Sequence, residues 1–366
     1  MHVPDGFINA PVSAIAGVGA ATAIAVSLRG ARRELDEKTA PLAGLVAAFI
    51  FAVQMLNFPV AAGTSGHLLG GALAAILVGP YTGVLCVSVV LLMQGILFAD
   101  GGLTALGVNI TDMAIVTTVV AYTVFRGLVK VLPRRRSSIT AATFVAALLS
   151  VPSAALAFTA IYAAGGTTDV PLGKVLTAMV GVHILIGIGE AAITALTVGA
   201  VIAVRPDLVH GARGLHAPLK LRVGGELVDA PAPEPVPAAA RSTHKVRAVF
   251  VVAALLLAGF FSFYASASPD GLEKVAHDKG IDTQEKKHAT EDSPLAGYSV
   301  KDIGNDRIAT GLAGMIGVGV TVGVGSGIFW AVRRRRGTAD EATPTAVPGK
   351  SQPERSHAQK SQTEKV

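Results

Sequence analysis

Apolar runs long enough to cross a lipid bilayer recur along this chain, and no other feature restricts its fold as severely. A hydrocarbon core about 30 Å thick takes roughly 20 apolar residues per helix. Such spans are predicted near residues 12–28, 41–59, 68–79, 80–98, 108–125, 140–163 and 176–203, with two more near 246–266 and 308–331. Charged residues make up only 15% of the 366 residues against 51% hydrophobic, too few charges to cover a soluble domain of this size. The expected fold class is an all-α integral membrane protein, a polytopic helical bundle of seven spans followed by a two-helix accessory module. The run 68–79 is short and Gly79-Pro80 divides it from the next, so it is expected to be tilted or partly re-entrant.

The net charge of +6 does not mark a nucleic-acid partner, because the basic residues gather in short clusters beside apolar runs. Arg29, Arg32 and Arg33 follow the first span and Lys130, Arg134, Arg135 and Arg136 the fifth, which makes those loops cytoplasmic. The same alternation puts Arg205 to Arg222 and Arg333 to Arg336 inside. It puts Met1, the loop carrying His67, the loop 100–111 and the segment 268–307 outside. No Lys or Arg precedes the first run, so the N-terminus is read as mature rather than as a cleavable signal. Cys86 is alone and inside an apolar run, hence a buried small hydrophobe.

Residues 1–205 are expected to form the first membrane domain. Residues 206–245, with Pro231, Pro233, Pro235 and Pro237, are expected to be an extended cytoplasmic linker. Residues 246–332 would form the two-helix module with an outer loop, and 333–366 a disordered cytoplasmic tail. Gly349-Lys350-Ser351 is no phosphate loop, since Pro344 stands where the first glycine is needed, and no ATPase motif appears elsewhere.

The chemistry concentrates at the first residues. The α-amino nitrogen of Met1, the backbone nitrogen of His2 and its imidazole lie close enough along the chain to chelate one ion. His67 could add a fourth nitrogen, a set that suits Ni(II), Co(II) or Cu(II). This requires a free amine, and bulky His2 disfavours removal of Met1. Pro4-Asp5-Gly6 reads as a turn able to fold the terminus back into the bundle, with Asp5 bonding the backbone that follows it; a frayed end is the alternative. Residues 63–71 form a glycine-rich loop with a mobile His67, whose second ring nitrogen Thr64 or Ser65 could fix; a solvated loop histidine is the alternative. Gln54 with Asn57, and Asn109 with Asp112, could line the same outer cavity or serve as ordinary interhelical hydrogen bonds. His183 and Glu190 share one face of the seventh span and are read first as a structural pair, with a transport role as the alternative. The six remaining histidines lack ligand spacing.

Met1 to Phe7, Gly63 to Gly71, Phe98 to Gly107 and His183 to Glu190 together resemble the CbiM/NikM family, the substrate-capture subunits of energy-coupling factor transporters for cobalt and nickel. The segment from Ser268 to Val275 resembles the opening of a PDGLE domain, akin to the small CbiN/NikN partner subunit. The polar context at Asn109 to Thr111 departs slightly from the family. The resemblance implies a natural fusion of the two subunits. It implies metal capture from outside by Met1, His2 and His67; Thr64, Ser65, Asn57 and Asn109 are candidate supporting residues from their positions in the sequence alone. The implied partners are a transmembrane coupling subunit, cytoplasmic ATPase subunits, the bilayer and the Co(II) or Ni(II) substrate. No nucleic acid and no cofactor are expected, and the location is a bacterial cytoplasmic membrane with the N-terminus outside and the tail inside. No enzymatic activity is expected, since no His-Glu-x-x-His helix is present. The competing expectation is an ion-gradient-coupled secondary transporter acting alone through His183 and Glu190. Binding is expected to weaken in acid, and the loop with Asp270 and Glu273 to govern metal entry.

Overall fold

The computed structural model describes residues 1–36, 39–61, 63–133, 135–213, 220–223, 226–229 and 244–341. Among them, six helices are long and apolar enough to cross a membrane, Ala10–Glu34, Pro80–Phe98, Leu106–Val131, Arg136–Gly165, Leu172–Val204 and Asp306–Arg334. The chain is a multi-pass helical membrane protein. Its outward side chains are apolar, as on Ile15, Val18, Leu196 and Val249.

Helix α1 (Ala10–Glu34) starts where Asn9 Oδ1 accepts the Val12 N–H at 3.0 Å. Arg32 and Arg33 sit in its last turn, complementing the carbonyl end. Helix α2 (Thr39–Gln54) is apolar but short, and the expected span 41–59 stops at Gln54. Pro59 and Gly63 turn the following residues into an antiparallel hairpin, β1 (Phe58–Ala61) and β2 (Thr64–Gly66).

The expected span 68–79 is corrected. It is α3 (Gly71–Val78), a wholly buried helix about 12 Å long at about 1.5 Å per residue, too short to cross a bilayer. Gly79, at φ 106°, then turns the chain into α4 (Pro80–Met93), which continues as a π-helical turn, Gln94–Phe98. The Glu34 carboxylate accepts from the N–H groups of Thr82 (2.7 Å) and Tyr81 (3.2 Å) and from the Thr82 hydroxyl (2.8 Å), so α1 caps the start of α4.

The next span joins α5 (Leu106–Asn109), a π stretch (Ile110–Val116) and α6 (Thr117–Val131). Helices α7 (Arg136–Gly165) and α8 (Leu172–Val204) then pack along each other's length. The expected extended linker begins instead with 3₁₀ turns at Pro206–Leu208 and His210–Ala212, followed by the antiparallel pair β3 (Lys220–Val223) and β4 (Glu226–Asp229). Its proline-rich stretch lies outside the described residues.

The accessory module contains α9 (His244–Gly259), a 3₁₀ turn at Phe261–Tyr264, α10 (Gly271–Lys279) and α11 (Asp306–Glu341). The helix therefore runs past the expected boundary at 332, and the rest of the expected tail, 342–366, lies outside the described residues. Gly311 and Gly314 face the carbonyls of Gly259 and Ala258 with no room for a Cβ, and Gly44 of α2 meets Ser326 of α11 in the same way. Close backbone approach over small residues is how helices associate where lipid offers no hydrophobic drive.

Backbone contacts sort the loops into two ends. Asn9 N–H bonds Gly165 O (2.7 Å) and Gly102 N–H bonds Val3 O (2.8 Å) at one end, while Arg213 Nη2 reaches Glu34 O (3.5 Å) at the other. Met1, His2 and His67 all lie at the first end.

Candidate metal centre

The first residues are not frayed. Asn109 grips the Val3 peptide on both sides, its Oδ1 accepting the N–H at 2.7 Å and its Nδ2 donating to the carbonyl at 3.1 Å. The expected turn forms at Pro4-Asp5-Gly6, with Gly6 at φ 98°. The Asp5 carboxylate does not bond the backbone following it, as expected from sequence. It reaches across to Thr104 N–H (2.8 Å), Thr104 Oγ1 (2.5 Å) and Leu103 N–H (3.2 Å), stitching the terminus to the loop before α5. Met1, Val3 and Phe7 are all buried as a result.

This fold carries the Met1 amine 66 positions across the sequence to within 2.7 Å of His67 Nε2. His67 Nδ1 lies 3.0 Å from the Leu68 carbonyl, which can only accept, so the ring proton sits on Nδ1 and the Nε2 lone pair faces the amine. Two ligands at about 2.0 Å from one ion and at right angles stand about 2.8 Å apart, close to the separation found here. The His2 ring stacks on that of His67, with centroids 5.1 Å apart. His2, His67 and Asp270 bring ligand atoms within 4.8 Å of one another.

His2 Nε2 lies 3.1 Å from Gln94 Oε1, and Nδ1 lies 3.3 Å from Asp100 Oδ1. Burial lowers the His2 pKa to about 4 against the raising effect of Asp100, so the ring is uncharged at neutral pH.

The loop that aims His67 is clamped rather than mobile, which corrects the sequence expectation, and His67 itself is buried. Glu190 of α8 accepts the N–H groups of Leu69 (2.7 Å) and Gly70 (3.1 Å), and Gln54 Nε2 donates to Leu69 O (3.0 Å). Neither Thr64 nor Ser65 fixes the imidazole, because the Leu68 carbonyl takes that nitrogen. Ser65 Oγ instead donates to Ser268 O at 2.7 Å, and its N–H to Pro269 O at 2.9 Å. Asn57 also serves the accessory module, its carbonyl accepting the Ser266 N–H at 2.7 Å. Asn57 and Gln54 line a cavity of about 370 Å³ together with His2, His67 and Asp270.

The expected structural pair of His183 and Glu190 is not a contact pair. Glu190 docks the loop, while His183 Nδ1 donates to the Met179 carbonyl at 2.7 Å within its own helix.

Sequence reasoning did not place Asp270, Gln94 or Asp100 in direct contact with the terminus. Asp270 Oδ2 stands 2.6 Å from the Met1 amine and 3.6 Å from His67 Nε2. Burial pushes this carboxyl up, but the neighbouring ammonium outweighs burial and holds it well below the usual carboxylate range. A depressed folded value contributes stability above the unfolded pKa of about 3.9 and loses it as pH falls through the folded value, so the carboxylate stays charged at physiological pH.

Asn109→Ala frees both sides of the Val3 peptide without touching a candidate ligand. Its metal affinity is expected to fall roughly 10-fold, within the range for outer-shell partners, which calorimetric titration with Ni(II) measures.

Residues 2–208 match the family described as cobalt uptake substrate-specific transmembrane region, and residues 244–334 match the PDGLE domain. The chain is 30% identical to the cobalt transport protein CbiM of Geobacter sulfurreducens over 358 residues, covering 94% of this chain and 93% of that one. It is 42% identical over 125 residues to the fused nickel transport protein NikMN of Rhodobacter capsulatus, covering 34% of this chain and 36% of that one. A crystal structure of a truncated transition metal transporter aligns with a TM-score of 0.50 at 27% identity, covering 56% of this chain and 99% of that chain.

Proposed function

The chain belongs to the CbiM family of cobalt uptake substrate-specific transmembrane proteins, fused to a PDGLE domain, and from that premise we propose that it captures Co(II) or Ni(II) for ATP-driven uptake. Its ligands are the Met1 amine, the His2 backbone nitrogen and imidazole, and the His67 imidazole. The observation that carries this reading is the buried Met1 amine held 2.7 Å from the lone pair of His67 Nε2. The capture end faces outward and the basic clusters face the cytoplasm of a bacterial plasma membrane.

A divalent ion in hydrocarbon is prohibitively costly, and the chain carries no nucleotide-binding motif. Transport then falls to an energy-coupling factor arrangement, in which a transmembrane coupling subunit and cytoplasmic ATPase subunits drive the step. The secondary-transporter alternative draws no support from Glu190, whose two oxygens are engaged by Leu69 and Gly70. The family is one of transporters rather than enzymes.

Purified chain in vesicles without ATPase partners is expected to bind but not accumulate Ni(II), and accumulation driven by an ion gradient alone would overturn the coupling assignment. His67→Ala is expected to weaken binding by about 100-fold or more, at least the effect of losing an outer-shell partner. Binding of the wild type is expected to fall with acidity, since the amine and the His2 amide must release protons to ligate. His2, uncharged down to about pH 4, does not set that limb, and a pH-independent affinity would count against nitrogen ligation.

A further inference from the structure

We propose that Asp270 of the accessory module is itself a ligand of the transported ion, adding a carboxylate oxygen to the nitrogens of Met1, His2 and His67. The inference rests on the capture reading above.

The two oxygens of Asp270 have separate tasks. Oδ1 accepts the N–H groups of Leu272 (2.7 Å) and Glu273 (2.9 Å), and the Glu273 side chain returns a bond to the Asp270 N–H at 2.8 Å, a complete capping box at the start of α10. Oδ2 is thereby aimed into the site, 2.6 Å from the Met1 amine and 3.6 Å from His67 Nε2. The residues just before it are fastened to the hairpin that leads into His67, through Ser65 to the carbonyls of Ser268 and Pro269. Asp270 and His67 are thus delivered by two strands of backbone bonded to each other.

Charge argues the same way. A divalent ion bound by a neutral amine, neutral imidazoles and one deprotonated amide leaves one positive charge in a site where Met1 is 2%, His2 9% and His67 4% exposed. An unpaired buried charge is strongly destabilising, and the Asp270 carboxylate brings the sum to zero. The same carboxylate neutralises the Met1 ammonium before loading.

A competing carboxylate is that of Asp100, whose Oδ1 lies 3.3 Å from His2 Nδ1. Its side chain is 27% exposed, and Oδ2 receives the Tyr298 hydroxyl at 2.5 Å. It is not needed for neutrality.

The test uses the purified full chain loaded with Co(II) and read by its visible ligand-field spectrum, its affinity and the coordination number from X-ray absorption. Asp270→Asn keeps α10 capped, because asparagine caps as well as aspartate, while removing the charge. It is expected to change the spectrum and weaken binding roughly 10–100-fold. An Asp270→Asn spectrum identical to wild type overturns the proposal. The wild-type coordination number decides independently of any variant's folding, five supporting the added oxygen and four overturning it. Failure of the wild type to bind Co(II) at all would instead overturn the capture reading beneath it.

Discussion

One residue added ahead of Met1, or an acetyl group on its amine, abolishes metal capture. The amine is buried between His67 Nε2 at 2.7 Å and Asp270 Oδ2 at 2.6 Å. Acetylation turns it into an amide without a basic lone pair, and an added residue displaces it from the pocket that Asn109, Asp5 and the loop before α5 have shaped. Acetylation also removes the positive charge that pairs with Asp270, and an added residue moves that charge away from it. Affinity for Ni(II), measured by calorimetric titration of the purified chain, is expected to fall by about 100-fold or more, at least the upper range for losing an outer-shell partner. A blocked chain that binds as tightly as the free one removes the amine from the ligand set.

Glu190→Ala is expected to have the second-largest effect, although Glu190 touches no metal ligand. Its carboxylate is the acceptor for the N–H groups of Leu69 and Gly70, in a position with no solvent to replace it. Each orphaned buried donor costs about 1–3 kcal/mol, hence roughly 2–6 kcal/mol for the two. Release of the loop lets His67 swing away from the amine, so thermal stability in detergent and metal affinity should fall together. Glu190→Gln retains one oxygen acceptor and should lie between. Unchanged stability with altered proton dependence of uptake would instead favour an ion-coupling role for Glu190.

Much of the architecture was legible because burial in lipid writes itself into composition. The long spans of α1, α4, α7 and α8 appear as predominantly apolar runs. The basic residues mark the end opposite Met1, since Arg213 meets the last turn of α1 while the N-terminal segment meets the start of the same helix. The run 68–79 misled because a helix buried on every side by protein is as apolar as one facing lipid, so hydropathy alone cannot separate the eight-residue α3 from a span. The hydroxyls of Thr64 and Ser65 were assigned to His67 by proximity along the chain, yet Ser65 serves a loop some two hundred positions away.

By itself the sequence determined the membrane-spanning fold, which depends on the length of apolar runs, and it set the Met1 amine beside the His2 nitrogens by local spacing, while its motifs pointed by resemblance to a CbiM-type module joined to a PDGLE module. Only the tertiary structure decided which distant groups meet those donors. The Asp270 carboxylate against the amine, the Asn109 grip on Val3 and the Glu190 clamp on the His67 loop are fixed by how helices and loops from both modules pack at one end of the bundle. No local preference of the chain encodes these contacts, since each joins residues brought together only when the whole bundle closes.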